Sequence, residues 1–197
     1  MIIKRTIELE ADPAVRSGAN FEVGDVIGFA LNDGEEVEAM AMKQEEDGFI
    51  FALVDCIVDE QPMMRDGKLV MRDYLNKDLY IRFPEEIRNM MLPFEHGDML
   101  RLMTQKEVFG ENMYDADEED ESVTQFEPMK QLRNRIAQHG KNGSEEVYQW
   151  YWLANQTWLR DVAGGTHFAL VTSYGKSGNY GASNTYGVRP AFKIKNL

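Results

Sequence analysis

Residues 148–153 read Tyr-Gln-Trp-Tyr-Trp-Leu, and no other stretch of the chain narrows its folding options as much. As a strand it would set Tyr148, Trp150 and Trp152 on one face and Gln149, Tyr151 and Leu153 on the other. Each large aromatic buries about 150–250 Å², so two or three of them dominate local stability. Trp150 and Trp152 are therefore read as structural, core-facing residues. The third tryptophan follows in Trp158-Leu159-Arg160, so all three fall within residues 150–158. Next comes a Gly/Ser/Asn/Tyr-rich loop over 174–186, and the chain then closes on Tyr186-Gly187-Val188-Arg189-Pro190-Ala191-Phe192. The combination describes a stiff aromatic floor carrying an irregular polar surface.

With 197 residues and 43% apolar content, the chain reads as one globular domain. A chain of this length can bury roughly 70% of its unfolded surface, so it needs neither metal nor disulfide to fold. The one cysteine, Cys56, lies in an apolar run and is expected to be a buried, inert thiol. No run of eighteen apolar residues occurs, so no membrane span is expected. The charged start Met1–Glu8 lacks the apolar core of a signal peptide. These features suit a cytoplasmic protein or a component of a phage particle.

Charge is unevenly divided. Residues 1–121 hold 12 basic and 30 acidic side chains, whereas residues 122–197 hold 9 and 4, within a net charge of −13. An acidic chain repels nucleic acid and anionic membranes, so neither is an expected partner.

Residues 2–9 alternate as a strand, at a sheet edge or in contact with a second copy, and 12–20 form a loop. Strands are predicted over 25–31, 36–43 and 49–57, with Asn32-Asp33-Gly34 and Glu46-Asp47-Gly48 as the turns. Asp73 is expected to cap a helix over 74–80 that buries Leu75 and Leu79. Pro84, Glu85 and Glu86 open a second helix. Residues 99–103 read as a strand, and Thr104-Gln105-Lys106-Glu107 as a capping box with a stop at Gly110. The acidic run over 114–122 reads as a solvated loop. Residues 128–138 are predicted to form a helix with Met129, Leu132 and Ile136 on one face, stopped by Gly140. Strands, short helices, then strands again give an α+β class.

Four segments carry a resemblance: Asp73-Tyr74-Leu75-Asn76, Leu102–Phe109, Trp150-Tyr151-Trp152-Leu153 and Gly187-Val188-Arg189-Pro190-Ala191. In that order and spacing they resemble an uncharacterised family of bacterial and phage proteins. Its members are similar to the C-type-lectin-like fold of formylglycine-generating enzymes and of phage receptor-binding proteins. The resemblance implies twisted antiparallel sheets flanked by short helices, with the N- and C-terminal strands paired and a ligand face built from C-terminal loops. It gives a domain at 21–197 preceded by an extension at 1–20. Where that family reads Trp-Leu-Arg-Ser-Pro, this chain has Trp152-Leu153-Ala154-Asn155-Gln156.

No catalytic constellation emerges. Formylglycine-generating chemistry uses a cysteine pair near the C-terminus, and no cysteine follows Cys56. Ser173, His167 and Asp161 assemble a triad only on paper, without a nucleophile elbow. Gly175-Lys176-Ser177 lacks the upstream glycine of a phosphate loop, since Leu170 stands there. His96, His139 and His167 are widely spaced, and Asp120 occupies the glycine position of a calcium loop, so neither metal nor other cofactor is expected.

Arg189 sits in an apolar closing strand, so carboxylates or backbone carbonyls must hold it; Asp161 is one candidate. Tyr, Ser, Gly and Asn are also the residues of antibody recognition loops. That makes Tyr174, Asn179, Tyr180, Asn184 and Tyr186, with Asn155, Gln156 and Trp158, the candidate ligand surface. The leading expectation is a non-enzymatic module of bacterial or prophage origin that binds a protein or glycan. An enzyme of unseen chemistry, and an assembly protein whose first twenty residues pair with another copy, are the alternatives.

Overall fold

A computed structural model describes residues 6–8, 21–113, 123–138, 148–154 and 167–196. Alternating apolar residues and tight turns build its main sheet. Strands β1 (Thr6–Glu8), β2 (Val26–Ala30), β3 (Glu36–Gln44) and β4 (Gly48–Leu53) follow in order. The β2–β3 turn closes through Gly34 N to Leu31 O at 2.8 Å, and Gly34 takes a φ of +88° that glycine tolerates without strain. Short strands β5 (Gln61–Pro62), β6 (Met64–Arg65) and β7 (Lys68–Leu69) lead into the helical segment.

The sheet is completed from the far end of the chain. Strand β16 (Pro190–Lys195) pairs antiparallel with β4 on one side. On its other side it meets β8 (Met91–Leu92) and β9 (Leu100–Leu102), also antiparallel. Paired along both edges, β16 is buried over its first five residues. The N- and C-terminal strands therefore do not pair, contrary to what the resemblance implied: β1 lies beside β2, in parallel, at the sheet edge. The architecture is mixed α and β, with mostly antiparallel sheets and few short helices.

Because strand side chains alternate, this sheet feeds two cores. Ile27, Ala39, Phe51, Leu53, Phe192 and Ile194 face one; Val26, Met40, Ile50, Ala52 and Ala191 face the other. The first core is covered by a helical stretch that starts as α1 (Met71–Asp73), widens to a π-helix over 74–79 and tightens to a 3-10 turn over 80–82. It buries Leu75 and Leu79 as expected. Asp73, however, is inside the helix and caps nothing; it pairs with Lys77 one turn on. Helix α2 (Glu85–Arg88) follows, with Pro84 as its cap rather than its first residue.

Asn76 pins this helical stretch to β9. Its amide donates to Leu100 O (2.9 Å) and Arg72 O (3.1 Å), while its oxygen accepts from the amides of Met99 (2.8 Å) and Leu100 (3.0 Å). On the other core, helix α3 (Gln105–Phe109) opens with the predicted capping box and ends at Gly110 in the left-handed region. The box carboxylate of Glu107 also grips Arg101 in a fork, at 2.6 and 2.7 Å.

The helix predicted over 128–138 is broken. A 3-10 turn spans 127–130, α4 covers Leu132–Arg135, and Gln131 and Ile136 are extended on either side. Met129 is buried, but Leu132 is exposed, so the apolar periodicity does not make one continuous face. Strand β10 (Ala137–Gln138) then pairs with β11 (Tyr148–Gln149). The acidic run over 115–121 and the Gly140 stop lie outside the described residues. Among the described residues, no helix is long and apolar enough to cross a membrane.

Removing both halves of the Asn76 clamp strands two backbone amides. Asn76→Ala is expected to lower stability by about 2–3 kcal/mol, measured by urea unfolding with an unchanged m-value.

Acid should also loosen the sheet. Burial raises the Glu45 carboxyl, but the hydrogen bond and charge of Lys193 outweigh it and hold the group below its ordinary 4.5. Burial likewise raises Asp33, but the Glu35 amide and Arg82 bring it below 3.8. Carboxylates with depressed values contribute stability that is complete above their unfolded pKa and lost as pH falls through the folded one. Unfolding free energy should thus start to drop below about pH 4.5, and Lys193→Met should shrink the Glu45 part of that drop to what Lys43 sustains.

Candidate functional site

The aromatic strand and the polar segment meet in a second, three-stranded sheet. Strand β12 (Tyr151–Trp152) pairs with β13 (His167–Val171), which pairs with β14 (Ser177–Gly181). Residues 177–181, read from the sequence as loop, are therefore an edge strand, in which Gly178 leaves room for Leu170, whose Cδ1 would lie 3.1 Å from a Cβ there. A short β15 (Thr185–Tyr186) then pairs with β5.

The two faces of the Trp-Tyr-Trp-Leu segment enter different cores, as alternation demands. Trp152 and partly buried Trp150 belong to the first; Tyr151 and Leu153 belong to the second. Trp152 is fully buried and donates from Nε1 to Gln61 O at 2.8 Å. Trp150 donates to Ser173 Oγ at 3.2 Å.

Gly187 fixes what lies above. Its amide donates to Trp150 O at 2.8 Å, and its carbonyl accepts from Trp152 N at 3.2 Å. A Cβ here would sit 2.7 Å from both Cys56 Sγ and Gln149 Cγ. Only glycine permits the approach, and it lays Tyr186 over the indoles. Tyr186 stacks on Trp150 (5.7 Å between centroids, 25°) and meets Trp152 edge-on at 4.9 Å. Tyr180 closes the group, edge-on to Trp150 at 5.4 Å and to Tyr186 at 5.8 Å.

The result is a four-ring stack with a graded exposure, from buried Trp152 outward to Tyr180 at 45%. At its rim, the exposed Glu60 carboxylate accepts from Gln149 Nε2 and, at 3.5 Å, from Thr185 Oγ1. Burial, with the neighbouring Tyr180 and Glu60, raises the Tyr186 hydroxyl above its ordinary 10.0 and keeps it a neutral donor. Neither the Tyr180 nor the Tyr186 hydroxyl is hydrogen-bonded among the described residues.

The expected ligand residues are thus divided. Tyr180 and Tyr186 come together on Trp150 and Trp152. Asn179 pairs with Ala169 and projects from the opposite face of β14. Asn184 is a turn residue, its amide donating to Gly181 O at 2.9 Å. Tyr174 stands 75% exposed at the β13–β14 tip, outside the ring stack. Asn155, Gln156, Trp158 and Asp161 lie outside the described residues. Glu60, Gln149, Ser173 and Thr185 were missed; Glu60 is 125 residues from Thr185, and no local pattern announces such a meeting.

Arg189 is held inside the protein by hydrogen bonds. It is 1% exposed and donates to Leu53 O (2.5 Å), Asn134 O (2.9 Å) and the Tyr151 hydroxyl (3.0 Å). Its guanidinium also lies 5.2 Å from the Tyr151 ring centroid. Carbonyls and a phenol hold it rather than a carboxylate among the described residues. Cys56 is buried, and burial pushes its thiol well above the usual range, which suppresses the nucleophilic thiolate. Among the described residues, no group of three or more His, Cys, Asp or Glu side chains could hold a metal ion.

Residues 70–196 match the DUF6273 family, a domain of unknown function. The chain belongs to that family. Neither the curated proteins nor the solved structures contain a match to it. The DUF6273 region takes in Asn76, the Glu107 capping box, the aromatic stack and Gly187-Val188-Arg189, each with a role in packing or chain closure.

Trp152→Ala removes a fully buried indole and should cost roughly 3–5 kcal/mol. Tyr180→Ala, at the exposed end of the same stack, should cost only about 1 kcal/mol. Thermal unfolding followed by circular dichroism separates the two.

Proposed function

We propose that this chain is a non-enzymatic recognition module, of bacterial or prophage origin, that binds a glycan on the face formed by Trp150, Tyr180 and Tyr186. One observation carries the reading: three partly exposed rings are held in fixed mutual geometry by a buried fourth, Trp152. Rings immobilised in advance lose little entropy on binding. Sugar rings offer C–H faces to such surfaces and hydroxyls to their rims. Here the Tyr180 and Tyr186 hydroxyls, the Glu60 carboxylate and Thr185 supply both donors and acceptors.

The four sequence segments named above support placing the module among C-type-lectin-like proteins, although the strand order supports only the broader mixed class. A protein ligand would use the same rings, but the paired carboxylate and hydroxyls at the rim suit a polyol better.

Titration of the full chain with a panel of soluble oligosaccharides, followed by tryptophan fluorescence, tests this. At least one should give a saturable change, and Tyr180→Ala should weaken it more than about tenfold, a loss of roughly 1.4 kcal/mol or more. A flat response across the panel, or unaltered binding by Tyr180→Ala and Tyr186→Ala, would overturn the glycan reading. Retention of a protein partner by the same rings would reassign the ligand class.

A further inference from the structure

On the opposite side of the aromatic strand, a cavity of about 240 Å³ opens between β3, the end of β4 and α4. Its lining is Met40, Val54, Arg133, Asn134, Ile136 and Arg189. Two guanidiniums meet three apolar side chains there, with no carboxylate in the wall.

Arg189 comes at the cavity from within the protein. Its Nε and Nη1 are taken by Leu53 O, Asn134 O and the Tyr151 hydroxyl, while Nη2 forms no hydrogen bond among the described residues. Those acceptors satisfy N–H groups but bring no negative charge. A buried cation without a counter-charge is costly, and an adjoining space is where an anion relieves the cost. Arg133 is exposed and likewise forms no ion pair among the described residues. In a chain of net charge −13, these two guanidiniums share one cavity, and neither has an ion pair among the described residues.

We propose that this cavity binds a small free carboxylic acid, its carboxylate held between Arg189 and Arg133 and its hydrocarbon body against Met40, Val54 and Ile136. A planar carboxylate presents two oxygens, which match a guanidinium fork. A phosphate would bring further charged oxygens against apolar walls that offer no donors. The site is separate from the Trp150 face, because Tyr151 and Trp150 project to opposite sides of one strand.

The test uses the full chain and 4-methylpentanoate, followed by calorimetric titration and thermal unfolding. Saturable binding is expected, with the melting temperature raised by about 3 °C at ten times Kd. The neutral 4-methylpentanamide and inorganic phosphate should give no shift. Arg189 variants risk misfolding, so Arg133→Ala is the decisive substitution: it should weaken the acid about tenfold while leaving the unliganded melting temperature unchanged. Absence of saturable binding, equal binding of the amide, preferential binding of phosphate, or an Arg133→Ala variant that binds as the parent does would each overturn the assignment. Tighter binding of N-acetyl-leucine than of the free acid would assign the carboxylate to a polypeptide terminus and overturn it too.

Discussion

The buried guanidinium of Arg189 gathers four stretches of chain at one side chain. It ties the closing strand β16 to the end of β4, to α4 and to the aromatic strand β12, through Leu53 O, Asn134 O and the Tyr151 hydroxyl. Tyr151 passes the connection on by donating to Arg135 O at 2.9 Å. The guanidinium adds to the backbone bonds that already join the aromatic strand to the closing segment and to Met103, namely Gly187 N to Trp150 O, Trp152 N to Gly187 O and Ala154 N to Met103 O. Apolar packing alone is non-directional and would fix the register less sharply. A fully buried arginine is a costly way to reach stability, but its fixed fork specifies one arrangement. The position of the ring stack follows, because Gly187 lies two residues before Arg189 and sets the approach of Tyr186 to Trp150 and Trp152.

Within residues 70–196, the region that matches DUF6273, several polar residues and one glycine build the frame. Asn76 staples the helical stretch to β9, Glu107 serves the capping box and Arg101 together, and Gly187 and Arg189 close the sheets. Each solves a problem of unsatisfied backbone, buried charge or steric room. Architecture alone does not choose a ligand. Ligand choice must rest on what the frame presents, above all the exposed Tyr180 end of the stack and its Glu60 rim.

Much of that frame was legible in the sequence where the signal is local. Turns at Asn32-Asp33-Gly34 and Glu46-Asp47-Gly48, the capping box at Thr104 and the two-faced Trp-Tyr-Trp-Leu strand all depend on neighbours within a few residues. The helix over 128–138 failed because periodicity alone cannot see the hydrogen bonds of its environment. Asn134 O is drawn to Arg189 and Arg135 O to Tyr151, partners far along the chain that compete with helix continuation. The segment 177–181 failed for a related reason: Gly, Ser and Asn disfavour strands in isolation, yet five successive partners on β13 fix them as one. Tyr180 and Tyr186 drew notice because tyrosines in a polar run stand out, and the structure brings both onto Trp150. Glu60 was not, since it is one acidic residue among 34.

Electrostatics then distinguishes the two faces of the aromatic strand. The ring stack lies beside Glu60, whose carboxylate suits a neutral, hydroxyl-rich ligand and resists an anionic one. The cavity across the strand carries Arg133 and Arg189 from the part of the chain where cations outnumber anions, 9 to 4 over residues 122–197. Beyond a Debye length of about 8 Å, the net charge of −13 offers an approaching anion no attraction. Binding there must come from short-range contact, with the guanidiniums reached only after the ligand sheds water against Met40, Val54 and Ile136. Such a site favours a compact acid with a hydrocarbon body over a multiply charged polymer, because the polymer would meet the repulsive surface along its length while gaining only one carboxylate's worth of contact.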